Sequence, residues 1–332
     1  MSNAIHKVLV VGVGSIGERH VRCFQNTERT EISICEVNES LRTQIAERYQ
    51  IENSYSDIDT ALQAGHDAVV VAVPAHLHTP IAQKAAEAGL HLLIEKPLAV
   101  SPHGIKKLQA TINEKGLVAS VAYVYRAAPA LADMKQALDS GRFGAPVQIV
   151  AVCGQHFPTF RPAYRDTYYR DHATGGGAIQ DAITHVLNAG EWLVGPIDRL
   201  VADAEHLILE GVDVEDTVHV ITRQGNVLGS YSLNQHQAPN ESVITVNCER
   251  GTVRFEFHRH HWRWMTDDQW HEADSVKIER DTLFMRQAAA FLDAVERKAE
   301  PLCPLDEGLQ TLRVNLAALE SVAGQQWQTI SR

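Results

Sequence analysis

Continuous aliphatic runs alternate with amphipathic segments through the first 125 residues of the chain. Runs without polar alternation predict strands that are buried on both faces, and the segments between them predict the covering helices. The expected strands cover residues 7–11, 31–37, 68–73, 90–94 and 117–123, and the expected helices cover 15–25, 40–49, 58–64, 79–88 and 102–115. This rhythm predicts a doubly wound α/β domain built on a parallel sheet.

The rhythm changes after residue 125. Short strand-like segments separated by turn signals such as Gln224-Gly225-Asn226 fill residues 200–271 and predict a largely antiparallel sheet. The other expected elements are a strand over 147–152 and helices over 130–140, 177–193, 281–298 and 305–325. We therefore expect one domain over residues 1–125 and a second α/β domain over residues 126–332.

Composition and charge narrow the class of protein. A chain of 332 residues exceeds the usual size of one hydrophobic core. Its 30 basic and 41 acidic residues give a net charge of −11, which argues against a nucleic acid or an anionic membrane as partner. The five cysteines match no disulfide or zinc framework, and we find neither a leader nor an apolar run long enough to span a membrane. We expect a cytoplasmic protein.

A glycine motif follows the first predicted strand and opens the first predicted helix. Gly12, Gly14 and Gly17 have the GxGxxG spacing, with Ser15 and Ile16 between the last two. Glycines here permit a tight turn and the close approach of a dinucleotide pyrophosphate to N–H groups at the helix start. The motif predicts a dinucleotide-binding site.

An acidic residue near the end of the second predicted strand indicates which dinucleotide binds. Glu36 lies 19 residues after Gly17, where a carboxylate can accept hydrogen bonds from the adenosine ribose hydroxyls. The same carboxylate would repel a 2′-phosphate, so we expect NAD. Arg42 lies close enough in sequence to leave NADP open.

Three polar residues predict the chemistry. Lys96 follows a buried strand, at the sheet edge where such folds bind ligands. Asp181 and His185 are four residues apart on a predicted helix that three glycines open, so they share a face. In the oxidation of an alcohol, His185 can accept the hydroxyl proton, Asp181 can orient the imidazole, and Lys96 can stabilise the alkoxide.

The segment before the glycine-opened helix is rich in hydrogen-bond donors and aromatic rings, which suits a polyol substrate. Within it we expect Tyr164 and Arg165 to contact substrate, together with Arg126 after the last strand of the first domain. The arginines raise the possibility of a sugar that carries a carboxylate or a phosphate. The run from His258 to His261 has no carboxylate or cysteine at a recognisable ligand spacing, so we expect no metal site.

Four motifs in a fixed order give the chain a family resemblance. They are Gly12–His20, Val73–His78, Glu95–Pro97 and Gly175–His185. With these motifs the chain resembles, over essentially its whole length, the glucose-fructose oxidoreductase / inositol dehydrogenase / MocA-like (Gfo/Idh/MocA) oxidoreductase family. Ala75 and Asn188 depart from the family pattern, where an asparagine and an aspartate respectively are common.

The resemblance implies a Rossmann domain followed by an α/β domain whose large, mainly antiparallel open sheet commonly forms homodimers or homotetramers. It implies that Lys96, Asp181 and His185 are the catalytic group and that the peptide bond before Pro97 is cis. The substrates it implies are sugars, cyclitols and their derivatives. By the same resemblance, the residues that line the nicotinamide half of the cofactor site are Val73, Pro74, His78 and Glu95.

Three functions fit these residues. The leading hypothesis is a dehydrogenase that transfers a hydride from a secondary alcohol of a polyol to NAD(P), with Lys96, His185 and Asp181 handling the hydroxyl proton. An alternative is a redox-assisted lyase or glycoside hydrolase that regenerates a tightly bound NAD. A third is a nucleotide- or sugar-binding protein without turnover.

Overall fold

The aliphatic runs of the first 125 residues form one parallel sheet, as predicted. The computed structural model describes residues 5–274, 278–279 and 281–331. The strands of the first sheet are β1 (His6–Val11), β2 (Thr30–Cys35), β3 (Ser54–Tyr55), β4 (Ala68–Val71), β5 (His91–Ile94) and β6 (Ala119–Val121). Their order is β3-β2-β1-β4-β5-β6, the order of a dinucleotide-binding Rossmann sheet.

The helices of the chain alternate with the strands in the first half and flank the strand-rich region in the second. They are α1 (Ser15–Gln25), α2 (Glu39–Tyr49), α3 (Ile58–Leu62), α4 (His78–Glu87), α5 (Ile105–Lys115), α6 (Pro129–Asp139), α7 (Phe157–Phe160), α8 (Thr184–Val194), α9 (Thr282–Val295) and α10 (Leu305–Gly324). Among the described residues, no helix combines the length and the apolar character needed to cross a membrane.

The first structural unit includes a segment from near the C-terminus of the chain. It runs to Val124 and includes Glu279–Gly308, whereas our sequence analysis placed all residues beyond 125 in the second domain. The apolar face of α9 explains the difference. Phe291 packs edge-on against Phe24 of α1, with ring centroids 6.2 Å apart, and both are buried in the core against the first sheet.

The second unit comprises Tyr125–Ile278 and the residues from Leu309 onward. Its strands are β7 (Pro146–Gly154), β8 (Arg199–Glu205), β9 (Thr217–Gln224), β10 (Val227–Asn234), β11 (Glu241–Cys248), β12 (Gly251–Glu256), β13 (His261–Met265), β14 (Trp270–Glu272) and β15 (Gln328–Thr329). They form a nine-stranded sheet in the order β14-β13-β12-β11-β7-β10-β9-β8-β15, mainly antiparallel, with β7 and β10 paired in parallel. Helices α6 and α8 pack on this sheet.

The other face of the nine-stranded sheet is largely exposed at β7, β10 and β9 and half-buried at β11, β12 and β13. From Val218 to Gln224 the residues of β9 alternate between buried and exposed positions, which is the pattern of a sheet covered on one side. Val152, Ile221 and Leu228 place apolar side chains on the exposed side of three adjacent strands.

Replacement of Phe291 by alanine tests the assignment of α9 to the first unit. Loss of a buried phenylalanine costs about 3–5 kcal/mol, because it removes apolar contacts and leaves a cavity. We expect amide hydrogen exchange to accelerate in β1 and α1, and to stay unchanged in β9 and β10. Ile5→Ala, at a position 61% exposed, is the control. Faster exchange confined to β9 and β10 would contradict the assignment.

Candidate functional site

The predicted site residues are divided between the two units. In the first unit the glycine turn has the expected close packing. A Cβ atom on Gly17 would overlap the carbonyl oxygen of Gly12, and one on Gly12 would lie 2.8 Å from the carbonyl oxygen of Ala72. Gly12 also has a φ of +81°, which favours glycine.

The start of α1 is open where a pyrophosphate would bind. A Cβ on Gly14 would meet no atom within 4 Å, and Gly14 and Ser15 are exposed. Gly14 is the N-cap residue of α1 and has no side chain that could cover the helix start. This arrangement leaves the helix start accessible to an anion, so the residues present fit a dinucleotide.

Glu36 lies directly beside the glycine turn. Its carboxylate accepts hydrogen bonds from the backbone N–H groups of Val13 (3.1 Å) and Asn38 (3.0 Å). Arg42 donates instead to the carbonyl oxygen of Glu36, at 2.7 Å. The acid is therefore held in place by the backbone, and the guanidinium group is held close by.

His78 ties together two loops at the carboxyl ends of the strands. Its buried ring lies between the carbonyl oxygens of Val73 (2.7 Å from Nε2) and Pro97 (2.9 Å from Nδ1). Burial lowers the pKa of His78, although both carbonyl oxygens oppose this. Both contacts are within hydrogen-bond distance, and which ring nitrogen donates depends on the tautomer. The side chain fixes the Val73-Pro74 segment from within.

Glu95 and Lys96 follow β5, and the Lys96–Pro97 peptide bond is cis. Glu95 is 5% exposed; its carboxylate contacts Nε2 of His20 at 2.6 Å and accepts from the backbone N–H of Lys96 at 3.0 Å. Burial by itself would raise the pKa of Glu95, but the hydrogen bond and charge of His20 and the ammonium group of Lys96 lower it overall. Lys96 thus follows a buried carboxylate that is held ionised.

In the second unit the three glycines of Gly175–Gly177 shape the start of the helix that carries Asp181 and His185, which we call the functional helix (Ala178–Ile183 and α8). A Cβ on Gly176 would overlap the carbonyl oxygen of Tyr169, and one on Gly177 would lie 2.7 Å from the carboxylate of Glu215. The first six residues of the helix, Ala178–Ile183, are π-helical, and α8 continues from Thr184. Close packing at the glycines therefore accompanies an unusually wide first turn.

Asp181 and His185 each contact an aromatic side chain of this unit. Asp181 is buried and accepts a hydrogen bond from the hydroxyl group of Tyr168 at 2.8 Å. The ring of His185 stacks on Tyr125, with centroids 5.2 Å apart and an interplanar angle of 18°, and Tyr125 stacks in turn on Phe257 at 4.1 Å. The carboxylate and the imidazole are each held by an aromatic side chain from elsewhere in the unit.

Glu215 caps the start of the functional helix. One carboxylate oxygen accepts from the backbone N–H of Ile179 at 2.8 Å, and the backbone oxygen of Glu215 accepts from the N–H of Ala178 at 3.1 Å. The other carboxylate oxygen pairs with Nε2 of His172 at 2.5 Å. This hydrogen bond, more than any other interaction, raises the pKa of His172.

Arg126 is buried and bound to protein atoms. Its Nε donates to the side-chain oxygen of Asn188 at 2.8 Å, and Asn188 donates to Thr311 at 2.9 Å. The Thr311 hydroxyl group donates to Glu191 at 2.7 Å. Burial raises the pKa of Glu191, although its hydrogen bonds and the charge of Arg126 oppose the rise. Asn188, the departure from the family pattern, thus links Arg126 to a polar network.

The two other predicted substrate residues differ in exposure. Tyr164 is buried among Phe157, Tyr169 and other apolar side chains, and its hydroxyl group donates to the carbonyl oxygen of Glu210 at 2.7 Å. Arg165 is exposed, with its guanidinium carbon 5.2 Å from the ring centroid of Tyr164. This placement favours a packing role for Tyr164.

The histidine run near the end of β12 lies partly in a turn and not on one strand. Phe257–Arg259 is a 3₁₀ turn and His260 has a φ of +50°, so His258 and His260 do not lie side by side on one face of a strand. No group of three or more His, Cys, Asp or Glu side chains able to hold a metal ion is found among the described residues.

The models of two domains of one protein family match successive parts of the chain. Residues 6–123 match the Gfo/Idh/MocA oxidoreductase family with NAD-binding Rossmann fold, and residues 131–254 match the Gfo/Idh/MocA C-terminal domain. The chain belongs to the Gfo/Idh/MocA oxidoreductase family. Membership confirms the predicted fold class and an NAD-binding first domain.

Named members of the Gfo/Idh/MocA family are similar to parts of the chain. Levoglucosan dehydrogenase of Pseudarthrobacter phenanthrenivorans is 30% identical over 68% of this chain and 65% of its own length. The scyllo-inositol 2-dehydrogenase (NAD(+)) of Bacillus subtilis is 31% identical over 42% of this chain and 41% of its own. The chain thus matches less than two thirds of the length of either relative. A levoglucosan dehydrogenase solved with NADH and levoglucosan shares the fold, with a TM-score of 0.91, 24% identity and coverage of 99% of this chain and 100% of that chain.

The sequence analysis did not identify four side chains that contact the predicted site residues or the start of their helix. They are His20 against Glu95, Tyr168 against Asp181, Tyr125 against His185, and Glu215 at the helix start. His20 lay within a quoted motif and Tyr168 within the donor-rich segment. Tyr125 and Glu215 carried no sequence signal that we recognise.

The His172–Glu215 pair predicts a pH-dependent contribution to stability. Because the pKa of His172 is raised in the folded state, the contribution is complete below the unfolded value of 6.5 and is lost as the pH rises through the folded value. His172 is 46% exposed, so we expect an effect of about 2 °C on the melting temperature.

The measurement compares the melting temperatures of wild type and His172→Phe between about pH 5.5 and pH 9, a range that brackets the histidine pKa. The difference should be largest at low pH and shrink as the pH rises. His103→Phe, at an exposed position of the first unit, is the control. A difference that grows with pH would contradict the assignment.

Proposed function

We propose that this chain is an NAD-dependent dehydrogenase that oxidises a secondary alcohol of a sugar, cyclitol or related polyol. The supporting observation is that a Gfo/Idh/MocA chain carries both a lysine after the buried Glu95 and an aspartate–histidine pair at the start of a glycine-opened helix. A binding protein without turnover would have no need for all three groups.

NAD, when bound, supplies the hydride acceptor. The glycine turn and the start of α1 would hold its pyrophosphate, and Glu36 would accept hydrogen bonds from the ribose hydroxyls. Val73 and Pro74, fixed by His78, would line the nicotinamide half. The carboxylate of Glu36 favours NAD over NADP, because a 2′-phosphate there would face a negative charge.

The residues of the chain handle the proton. His185, its ring plane set by Tyr125, accepts the proton of the substrate hydroxyl group. Asp181, with Tyr168 as its donor, holds the substrate or the imidazole in orientation. Lys96 donates a hydrogen bond to the reacting oxygen and stabilises alkoxide character as the hydride leaves the carbon.

The substrate class is inferred from exposed donors. Tyr168 and Arg165 are exposed on the polar segment before the functional helix, and they would contact hydroxyl groups of a polyol. Arg126 and Tyr164 would support the site from within their unit. The named relatives act on levoglucosan and on scyllo-inositol, which agrees with this class.

Replacement of Lys96 or His185 by alanine tests the catalytic assignment. We expect kcat to fall by about 10²- to 10⁴-fold, because each change removes a proton-transfer or alkoxide-stabilising group. The Kd for NAD should change little. Lys106→Ala and His103→Ala, both at exposed positions, are the matched controls.

A panel of levoglucosan, scyllo-inositol, neutral sugars and uronic acids, each with NAD and NADP, supplies the assay. Accumulation of NADH supports the dehydrogenase, whereas product formed without net NADH supports the redox-neutral alternative. Unchanged turnover in both Lys96→Ala and His185→Ala would overturn the mechanism.

We further propose that the protein is cytoplasmic and assembles as a homodimer or homotetramer through the nine-stranded sheet. All five cysteines are free thiols, as is usual in a reducing compartment. The exposed face carries Val152, Ile221 and Leu228 on neighbouring strands. An apolar patch of this kind on a sheet is typical of an interface between subunits.

The double substitution Ile221→Glu and Leu228→Glu tests the assembly. Two charges on the apolar face should convert an oligomer to monomer, because their burial in an interface would be unfavourable. Size-exclusion chromatography with light scattering measures the mass. Val37→Glu, at a position 83% exposed in the first unit, is the control. A monomeric wild type, or a double variant of unchanged mass, would contradict the proposal.

A further inference from the structure

We propose that His20 is a positioning residue for Lys96 and acts through the buried carboxylate of Glu95. The inference rests on the proposed function, because it concerns the lysine that the mechanism uses. According to this proposal, His20 on α1 affects the position of the Lys96 amine, which follows β5.

The geometry forms a continuous chain of contacts within the first unit. His20 lies on α1, and its Nε2 is 2.6 Å from one carboxylate oxygen of Glu95. The other oxygen accepts the backbone N–H of Lys96 at 3.0 Å. His20 is 1% exposed and Glu95 is 5% exposed, so water has little access to the pair.

Aromatic rings restrict the orientation of the His20 ring. The ring of Phe24 lies 6.3 Å away and that of Phe284, from α9, lies 5.9 Å away in an edge-on arrangement. Between these rings the imidazole presents Nε2 to Glu95. A buried carboxylate that loses such a donor keeps its charge only with another partner.

Lys96 is the cation that would take the place of the lost donor. Its ammonium group already acts on the Glu95 carboxylate electrostatically, in the same direction as His20. With His20 present, the carboxylate is satisfied by the imidazole and by a backbone N–H. Without His20, we expect the lysine side chain to turn toward Glu95, which removes its amine from the position needed for catalysis.

A role confined to holding α1 against the sheet makes different predictions. It would affect stability and the affinity for NAD, but not the behaviour of the Lys96 amine. Three measurements therefore distinguish the two roles. They are the reactivity of Lys96 in the protein without cofactor, the change in kcat compared with the change in the Kd for NAD, and the recovery of both properties when a side chain that can still donate replaces His20.

The first experiment compares His20→Leu with His20→Gln. Leucine fills space without a donor, whereas the glutamine amide can still donate to Glu95. We expect His20→Leu to lower kcat roughly 10- to 100-fold, as a misplaced catalytic group does, with the Kd for NAD nearly unchanged. In the cofactor-free protein, acylation of Lys96 by acetic anhydride, followed by peptide mass spectrometry, should slow several-fold. His20→Gln should restore both properties to near the wild-type values.

A control on the same helix separates this effect from a loosened α1. Arg22 pairs with Asp281 at 2.5 Å and does not contact Glu95, so Arg22→Leu removes a different anchor of α1. We expect Arg22→Leu to leave Lys96 acylation and kcat unchanged. Lys84, an exposed lysine paired with Asp59, is the internal standard for the labelling.

If His20→Leu does not fold, the double variant His20→Leu/Glu95→Gln, compared with Glu95→Gln alone, supplies the test. Without the negative charge, loss of His20 should no longer redirect Lys96, so the double variant should match Glu95→Gln in labelling and kcat. Equal effects of His20→Leu and His20→Gln, or additive effects of His20→Leu and Glu95→Gln, would overturn the inference. If Lys96→Ala and His185→Ala both retain full turnover, the proposed mechanism is wrong; if Lys96→Ala is inactive while His20→Leu is normal, the positioning role alone is wrong.

Discussion

Close backbone packing at two glycine-opened helices is the constraint on which the rest of the structure depends. In the first unit, Gly12 and Gly17 leave no room for a Cβ, so α1 packs tightly against the turn that follows β1. That packing brings a histidine of α1 against a carboxylate after β5. In the second unit, Gly176 and Gly177 allow a backbone segment and an acidic side chain to approach the start of the functional helix equally closely.

The sequence predicted well what depends on local pattern. Aliphatic runs identified the parallel sheet, since a strand covered on both faces has no room for polar alternation. Glycine spacing identified the turn after β1, because few other residues tolerate both the positive φ of Gly12 and the contact at Gly17. The motifs also gave the family, which the comparisons confirm.

Features that depend on distant contacts could not be predicted in the same way. His20 and Glu95 are 75 residues apart, and Glu215 caps a helix that starts 37 residues earlier in the chain. No sequence pattern around any of these residues identifies the residue that it contacts in the fold. The packing of α9 in the first unit could not be predicted for the same reason. The amphipathic pattern of a helix predicts that one face is buried, but it does not predict which core that face packs against. Side-chain exposure, which distinguishes Arg165 from the buried Tyr164, likewise follows only from the fold.

The π-helical turn at Ala178–Ile183 constrains how the length of this segment can change over evolution. A π turn holds one residue more than an α turn, and each residue of an α-helix advances it by about 100°. Deletion of one residue there would let the turn close as an ordinary α-helix, and Asp181 would rotate relative to His185 even with both side chains retained. A gap in this short stretch of an alignment therefore signals a rearranged site, and matching motif letters on either side of the gap do not by themselves indicate a shared reaction.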